Sequence, residues 1–205
     1  MSRLVLSLIG SYVIGSLPTG YLLVRWLKGF DVRTVGSGNI GATNVTRAAG
    51  AAAGVAVLLM DIAKGLLAVW VIAPWLMRPA TPAGQLACGL AAVVGHTFPI
   101  FLRFQGGKGV ATTIGVIVGV MPLVAAVYLG VWVIAFLARR YVSVASIAAA
   151  IVIPITQIVT HRPVTELLLG TALALLIIAR HHTNIARLRQ GTEPRVRRRA
   201  ESGSG

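Results

Sequence analysis

Long apolar stretches alternate with short polar segments along most of the chain. A helix needs about 20 apolar residues to cross a membrane, and stretches near this length lie at about 4–27, 52–76, 84–102, 143–160 and 164–180. A further apolar run, at 110–138, is long for one span and short for two, and Met121-Pro122 interrupts it where proline would break a helix. The pattern predicts an all-α membrane protein in which this run forms two short helices, giving seven transmembrane helices.

The composition agrees with a membrane protein. The 205 residues are 56% hydrophobic and only 12% charged, and the mean hydropathy is +0.82, a balance that soluble domains do not have. The first apolar stretch runs past Pro18, too far for the apolar core of a signal peptide, which has about 7 to 15 residues, so it is expected to stay as a span. Cys88 is the only cysteine and the four histidines are scattered, so no disulfide or metal site is expected.

The distribution of basic residues predicts the orientation, because lysine and arginine concentrate on cytoplasmic segments. With seven spans and the N-terminus outside, fifteen of the nineteen Lys and Arg residues face the cytoplasm, only Arg3, Arg78 and Arg162 lie outside, and Lys64 lies inside a span. Six spans with the N-terminus outside would place Arg139, Arg140 and the C-terminal basic cluster outside. Six spans with the N-terminus inside would place the loop that contains Arg47 outside. The count therefore predicts a cytoplasmic C-terminus and places the polar segments on the cytoplasmic face.

The first polar segment, residues 36–47, reads GSGNIGATNVTR. Its glycines let the backbone turn N–H groups toward an anion, and its serine, threonine and asparagine side chains add donors. Arg47 can grip phosphate or carboxylate oxygens with two parallel hydrogen bonds. A flexible connector would share this composition, but the arginine and two further basic segments favour an anion site.

The second and third polar segments read GHTFPIFLRFQGGKGVAT (95–112) and RHHTNIARLRQGTE (180–193). Gly106, Gly107 and Lys108 precede a helix, whose N-terminus attracts anions, although the spacing of a Walker loop is absent. If the last helix continues, His181 and Asn184 share one face. The alternatives are that Lys108 only orients the membrane protein and that His181 is an interfacial polar residue without a chemical task.

Two further features allow more than one interpretation. Asp61 and Lys64 lie one helical turn apart inside a predicted span, either as a self-neutralising pair or as part of a functional polar cavity. Ser143 and Ser146 could cap the helix that follows Arg139-Arg140-Tyr141, and Ser143 would also face the cytoplasmic cavity. His96 is expected to be structural.

The three segments resemble, in order, the three motifs of the bacterial acyl-phosphate:glycerol-3-phosphate acyltransferase family of integral membrane enzymes. The resemblance implies seven spans with an outside N-terminus, in the bacterial cytoplasmic (inner) membrane. It also implies transfer of a fatty acyl group from acyl phosphate to glycerol 3-phosphate, yielding lysophosphatidic acid and inorganic phosphate in the first acylation of phospholipid synthesis. The expected partners are these substrates and membrane lipids, without coenzyme A, acyl carrier protein, metal or nucleic acid; the oligomeric state stays open, a monomer included.

Carried over residue by residue, the resemblance implies a catalytic set of Ser37, Arg47, Lys108, His181 and Asn184. These residues also bind the substrate phosphates, together with Gly38, Asn39, Thr43, Asn44, Gly106, Gly107 and Ser143. A substrate phosphate oxygen would accept the proton of the glycerol hydroxyl. The chain departs from the family at Gln105, usually lysine, and at His182, usually arginine, so both are left out of the site.

Acyl transfer from acyl phosphate does not require the catalytic triad that the sequence lacks. Acyl phosphate carries a good leaving group, so its reaction needs anion stabilisation and positioning more than a strong nucleophile, and no serine-histidine-acid triad is evident. One alternative is a small transporter for a phosphorylated or anionic solute, although transporters usually bind their solutes at the membrane midplane and contain repeats. Another is a lipid-binding scaffold.

We expect one transmembrane domain at 1–182 and a basic cytoplasmic segment at 183–205, whose residues 201–205 resemble a linker or tag remnant.

Overall fold

The chain is helical throughout the part that the structure, a computed structural model, describes, which is residues 2–196. Eleven α-helices without a β-strand make up this part: α1 (Arg3–Ser16), α2 (Thr19–Lys28), α3 (Ala42–Ala49), α4 (Ala51–Leu67), α5 (Ala73–Leu76), α6 (Pro82–Thr97), α7 (Val110–Val120), α8 (Pro122–Arg139), α9 (Val142–Val159), α10 (Val164–Arg180) and α11 (His182–Arg189). The predicted all-α class is confirmed.

Several helical segments are long and apolar enough to cross a membrane. The described residues contain five of them, namely Arg3–Lys28, Ala51–Leu76, Pro82–Leu102, Pro122–Arg139 and Val142–Val159. The pair α10 and α11, bent by 51°, makes a sixth if it is taken as one span, and α7 is shorter but also apolar. The protein is therefore a multi-pass membrane protein, and its many exposed large apolar side chains suit a surface that faces lipid.

Prolines mark most of the helix breaks. Pro18 separates α1 from α2, and a π-helical turn at Ala68–Ile72 precedes Pro74 between α4 and α5. The predicted division of the 110–138 run is confirmed, since α7 ends at Val120 and Pro122 opens α8. Proline is tolerated at the first position of a helix, where its missing N–H would have no partner.

The two largest apolar clusters hold the bundle together. The larger includes Leu86 of α6, Ile117 of α7 and Ile153 of α9, all fully buried, and joins the middle of the bundle. The smaller includes Val24 of α2 together with Val32, Ile40 and Val45. This second cluster anchors the polar segment 36–47 to the bundle, while Ser37, Thr43 and Arg47 of the segment stay exposed.

Candidate active site

The first polar segment folds around the side chain of Asn44, which is only 2% exposed. Its amide nitrogen donates to the carbonyls of Val32, Val35 and Asn39 at 3.0, 3.1 and 2.9 Å. Its oxygen accepts the Ser37 N–H at 2.9 Å. Gly36 and Gly38 adopt positive φ angles of 60° and 70°, a conformation that glycine takes without strain. The sequence predicted that Asn44 binds substrate; in the structure its amide holds the loop and leaves Ser37 and Gly38 exposed.

Arg47 and Thr43 lie on α3, which follows this loop, and both are exposed. Within residues 2–196, the side chains of Ser37, Thr43 and Arg47 form no hydrogen bonds to the other predicted site residues. Arg47 is nevertheless close enough to Lys108 for its charge to lower the pKa of that lysine. The guanidinium group thus faces no competing carboxylate in the described part of the chain and can meet an anion from solution.

The glycine loop, residues 106–109, connects the first segment to the third. Asn39 Nδ2 donates to the Gly106 carbonyl at 3.4 Å. From the other side, Arg180 donates to the carbonyls of Gly106 and Gly107 at 3.3 and 3.4 Å. Lys108 Nζ donates to Asn184 Oδ1. The carbonyl oxygens of the loop are thereby occupied, and the lysine ammonium is fixed beside the third segment.

The last long helix breaks at His181 instead of continuing. Because α10 ends at Arg180 and α11 begins at His182 with a bend of 51°, the condition under which His181 and Asn184 would share one helix face is not met. Both side chains are still buried, at 2% and 5% exposure. His181 Nδ1 lies 2.8 Å from the Ile177 carbonyl. A carbonyl can only accept, so Nδ1 carries the hydrogen and Nε2 has a free lone pair.

Glu193 joins the third segment to α9, a role that the sequence did not predict. Its Oε1 accepts hydrogen bonds from Ser143 Oγ at 2.7 Å and Asn184 Nδ2 at 2.6 Å, and its Oε2 accepts one from Arg187 Nε at 2.8 Å. Burial raises the pKa of Glu193, but these hydrogen bonds outweigh it and lower the pKa overall. The signal in the sequence was a lone acid at the end of a basic segment.

Ser143 and Ser146 do not cap α9, contrary to one expectation. Tyr141 occupies the cap position and makes no side-chain cap hydrogen bond. Ser143 lies in the first turn and donates to Glu193, while Ser146 Oγ donates to the Val142 carbonyl at 2.8 Å. Hydroxyls inside a helix commonly bond the preceding turn in this way.

The electrostatics of the site favour anions. The pKa of Lys108 is lowered to about 8, mainly by burial; repulsion from Arg187, Arg180 and Arg47 contributes, and Glu193 opposes the shift. Burial and the charge of Lys108 also lower the pKa of His181 to about 4. At neutral pH His181 is therefore uncharged, and Glu193 alone faces several cations. Phosphate groups would compensate this excess of positive charge.

The two positions at which the chain departs from the family pattern are exposed. Gln105 lines a separate cavity with Arg33 and Arg103, and His182 Nδ1 donates to the Ala179 carbonyl at 3.0 Å. Neither side chain forms a hydrogen bond with the predicted site residues in the described part of the chain.

Known proteins resemble the chain over nearly its whole length. A family model described as glycerol-3-phosphate acyltransferase matches residues 5–191. A protein named glycerol-3-phosphate acyltransferase from Geotalea daltonii is 44% identical over 193 residues, which is 94% of this chain and 97% of the relative. One with the same name from Myxococcus xanthus is 48% identical over 184 residues, 90% of this chain and 95% of the relative.

Two crystal structures share the fold. Both are of PlsY (YgiH), described as an integral membrane glycerol 3-phosphate acyltransferase. The glycerol 3-phosphate form is 41% identical, with a TM-score of 0.85 over 98% of this chain and 99% of that one. The lysophosphatidic acid form is 42% identical, with a TM-score of 0.81 over 95% of both chains.

Proposed function

Because the chain belongs to the glycerol-3-phosphate acyltransferase family, it is a membrane acyltransferase of phospholipid synthesis, and we propose that its acyl donor is acyl phosphate. The family predicted from the three motifs is confirmed, and so is the acylation of glycerol 3-phosphate. The PlsY structures contain the acceptor and the acylated product of such a reaction, according to their descriptions. None of these relatives supports the alternative of a transporter.

The observation that supports acyl phosphate is a cation-rich site without an activated nucleophile. Three arginines, Arg47, Arg180 and Arg187, lie close enough to Lys108 for their charges to lower its pKa, and Glu193 is the one carboxylate that opposes them. The free lone pair of His181 lies on Nε2, and its Nδ1 bonds a backbone carbonyl where a catalytic triad would use an acid. An acyl donor that already carries its own leaving group suits this arrangement, because the enzyme then needs only to bind two phosphates and align them.

The reaction proceeds in one transfer step. The glycerol hydroxyl oxygen attacks the carbonyl carbon of acyl phosphate, the bond from that carbon to the phosphate oxygen breaks, and the hydroxyl proton passes to a phosphate oxygen. The products are lysophosphatidic acid and inorganic phosphate. His181, with a pKa of about 4, is a weak base, so it acts by accepting a hydrogen bond at Nε2 and positioning the acceptor.

The residues of the site divide into two roles. Ser37, Arg47, Lys108, His181 and Asn184 contact the reactants, with Gly38, Asn39, Thr43, Gly106, Gly107 and Ser143 completing the phosphate-binding surface. Asn44 fixes the first loop from beneath through its three carbonyl partners. Glu193 fixes Ser143, Asn184 and Arg187, so its influence on the reaction is indirect.

We infer seven spans with the N-terminus outside, in the bacterial inner membrane. The seven comprise the five long segments, α7 and α10. An 11-residue helix such as α7 extends only about 17 Å. The glycine loop that precedes it therefore lies within the depth of the bilayer, where an acyl chain can arrive from the lipid.

We place the boundary between the transmembrane domain and the basic C-terminal segment after residue 182. The C-terminal segment also contacts the transmembrane domain, because the Val196 N–H donates to the Arg140 carbonyl at 2.9 Å. Arg197 to Arg199 and residues 201–205 lie outside the described residues.

Cysteine labelling tests this topology. In a Cys88→Ser background, single cysteines at Ser2 and Thr81 should react with an impermeant reagent in intact cells, because both sites are predicted outside. Cysteines at Thr46 and Thr192 should react only after permeabilisation. Labelling of Thr46 in intact cells would contradict the orientation.

Donor competition tests the proposed donor. Protein purified in detergent is given glycerol 3-phosphate with palmitoyl phosphate, palmitoyl coenzyme A or palmitoyl acyl carrier protein, and lysophosphatidic acid is measured. We expect product only from palmitoyl phosphate. Arg187→Ala should lower this rate, whereas Arg189→Ala, which removes the same charge from an exposed position on the same helix, should not. Equal use of a thioester donor would contradict the proposal.

A further inference from the structure

A buried ionic cluster lies among the membrane-spanning helices, outside the site described above. Asp61 and Lys64 of α4 are 2% and 4% exposed, and their charged groups lie 2.7 Å apart. Thr19 at the start of α2 donates to Asp61 Oδ1 at 2.6 Å. His96 in the last turn of α6, 4% exposed, places Nδ1 3.3 Å from Lys64 Nζ. Charges inside a membrane protein are costly and usually serve a function.

Lys64 has a partner for each of its ammonium hydrogens. Its ammonium group donates to Asp61 Oδ1 at 2.7 Å and to the Leu17 carbonyl at 2.8 Å. The same nitrogen lies 3.3 Å from His96 Nδ1 and 3.4 Å from the Gly15 carbonyl. His96 Nδ1 is also 3.5 Å from Asp61 Oδ1, so the imidazole contacts both members of the ion pair.

One side of the cluster holds the helix that leads to the first polar segment. The helix breaks at Pro18, and Lys64 donates to the carbonyls of Gly15 and Leu17 at this break. The Leu17 carbonyl also accepts the Thr19 N–H at 3.0 Å. Asp61 holds Thr19 at the beginning of α2. In the next position, Gly20 packs so closely against the Ile40 carbonyl that a β-carbon there would clash. The position of α2 therefore determines the position of the 36–47 segment.

The other side holds the glycine loop. The His96 carbonyl accepts the Gly107 N–H at 3.0 Å. The imidazole of His96 lies against the same glycine, and a β-carbon on Gly107 would clash with Nε2. Since Lys108 is the next residue, the orientation of the His96 ring limits where the ammonium group of Lys108 can lie.

We propose that Asp61, Lys64 and His96 are positioning residues for acyl transfer, which hold the 36–47 segment and the glycine loop in register so that Arg47 and Lys108 bind the two phosphates together. This inference rests on the proposed function. An ionic cluster suits the task better than apolar packing, because hydrogen bonds to named atoms fix one alignment, whereas apolar side chains would fill the space without specifying it.

His96 offers the sharpest substitutions, since the Asp61–Lys64 ion pair stays in place when it is replaced. His96→Leu removes the ring nitrogen that contacts Lys64 and Asp61, and His96→Asn restores a polar group near the position of Nδ1. We expect His96→Leu to lower kcat/KM for glycerol 3-phosphate about 10-fold to 100-fold, the scale of a misplacement of about 1 Å, and His96→Asn to recover most of it. Gln157→Leu is the control, because Gln157 is a buried intramembrane side chain that bonds the Glu166 carbonyl at 2.9 Å, away from the site. It should lower the Tm without lowering kcat/KM.

A double-mutant cycle separates positioning from stability. If His96 acts through the loop that carries Lys108, then His96→Leu combined with Lys108→Arg should cost much less than the product of the two separate effects. The inference would be overturned if the two losses in kcat/KM multiplied in the double variant. It would also be overturned if the kcat/KM of His96→Leu were within about twofold of wild type. If His96→Leu does not fold, Thr19→Val against Thr19→Ser tests the other side of the cluster, with loss expected only for valine; equal rates would overturn it. An inactive wild type would instead refute the proposed function.

Discussion

The alkaline side of the pH profile should report the ionisation of Lys108. Burial lowers the pKa of this lysine to about 8, so its ammonium form is present below pH 8 and is lost as the pH rises through it. About nine-tenths of the enzyme would be protonated at pH 7, half at pH 8 and about a tenth at pH 9. Because kcat/KM follows the ionisation of the free enzyme, it should fall about tenfold between pH 7 and pH 9.

Other groups do not produce this limb. The second ionisation of a phosphate ester lies near pH 6 and therefore affects the acid side. His181, with a pKa of about 4, is neutral throughout the range. Lys108→Arg keeps the charge but does not titrate below about pH 12, so its profile should be lower and flat above pH 7. Glu193→Gln removes the carboxylate that raises the pKa of Lys108, so its limb should shift to lower pH.

The assay is phosphate release at limiting glycerol 3-phosphate, from pH 6 to 10 at constant ionic strength. Blanks without enzyme correct for spontaneous hydrolysis of the acyl phosphate. A wild-type profile that stays flat to pH 9.5, or a limb that persists unchanged in Lys108→Arg, would refute the assignment of the limb to Lys108.

Three substitutions test other parts of the site. Arg47→Lys keeps the charge but loses two-pronged phosphate binding, and we expect a loss of about 2 to 4 kcal/mol of transition-state stabilisation, or about 30-fold to 1,000-fold in kcat/KM; near-normal turnover in folded protein would limit Arg47 to orienting the protein. His181→Gln should retain measurable turnover and the acid limb of the kcat/KM profile, because that limb belongs to the substrate phosphate; a limb that vanishes with activity would make His181 the base. Asn44→Ala should lower the Tm as well as activity, since three carbonyls lose their donor; a thermal melt with an unchanged Tm would contradict its role beneath the loop.

The helices were predictable because their signals are local. The length of an apolar stretch indicates a membrane span, and Pro122 indicates the helix break before α8. The bend at His181 had no such signal, since neither proline nor glycine lies at residues 180–184. The sequence thus favoured an uninterrupted helix where the structure bends by 51°.

The site was predictable as a set of residues but not as a set of contacts. Glu193 reaches Ser143 across 50 residues of chain, and no local pattern encodes such a pairing. An asparagine in a glycine-rich loop looks the same whether it binds a ligand or, as Asn44 does, the backbone. The spacing of Asp61 and Lys64 predicted their pairing, which forms, whereas the approach of Thr19 and His96 depends on how α2 and α6 pack against α4.

The most direct test of the account is the stoichiometry of the reaction catalysed by the purified protein. Palmitoyl phosphate and glycerol 3-phosphate are supplied in detergent, and inorganic phosphate and lysophosphatidic acid are quantified in the same samples, with each substrate also omitted in turn. The account predicts equal amounts of the two products and neither product above the blank when glycerol 3-phosphate is absent. Phosphate released without glycerol 3-phosphate, or binding of both substrates without lysophosphatidic acid, would contradict direct acyl transfer.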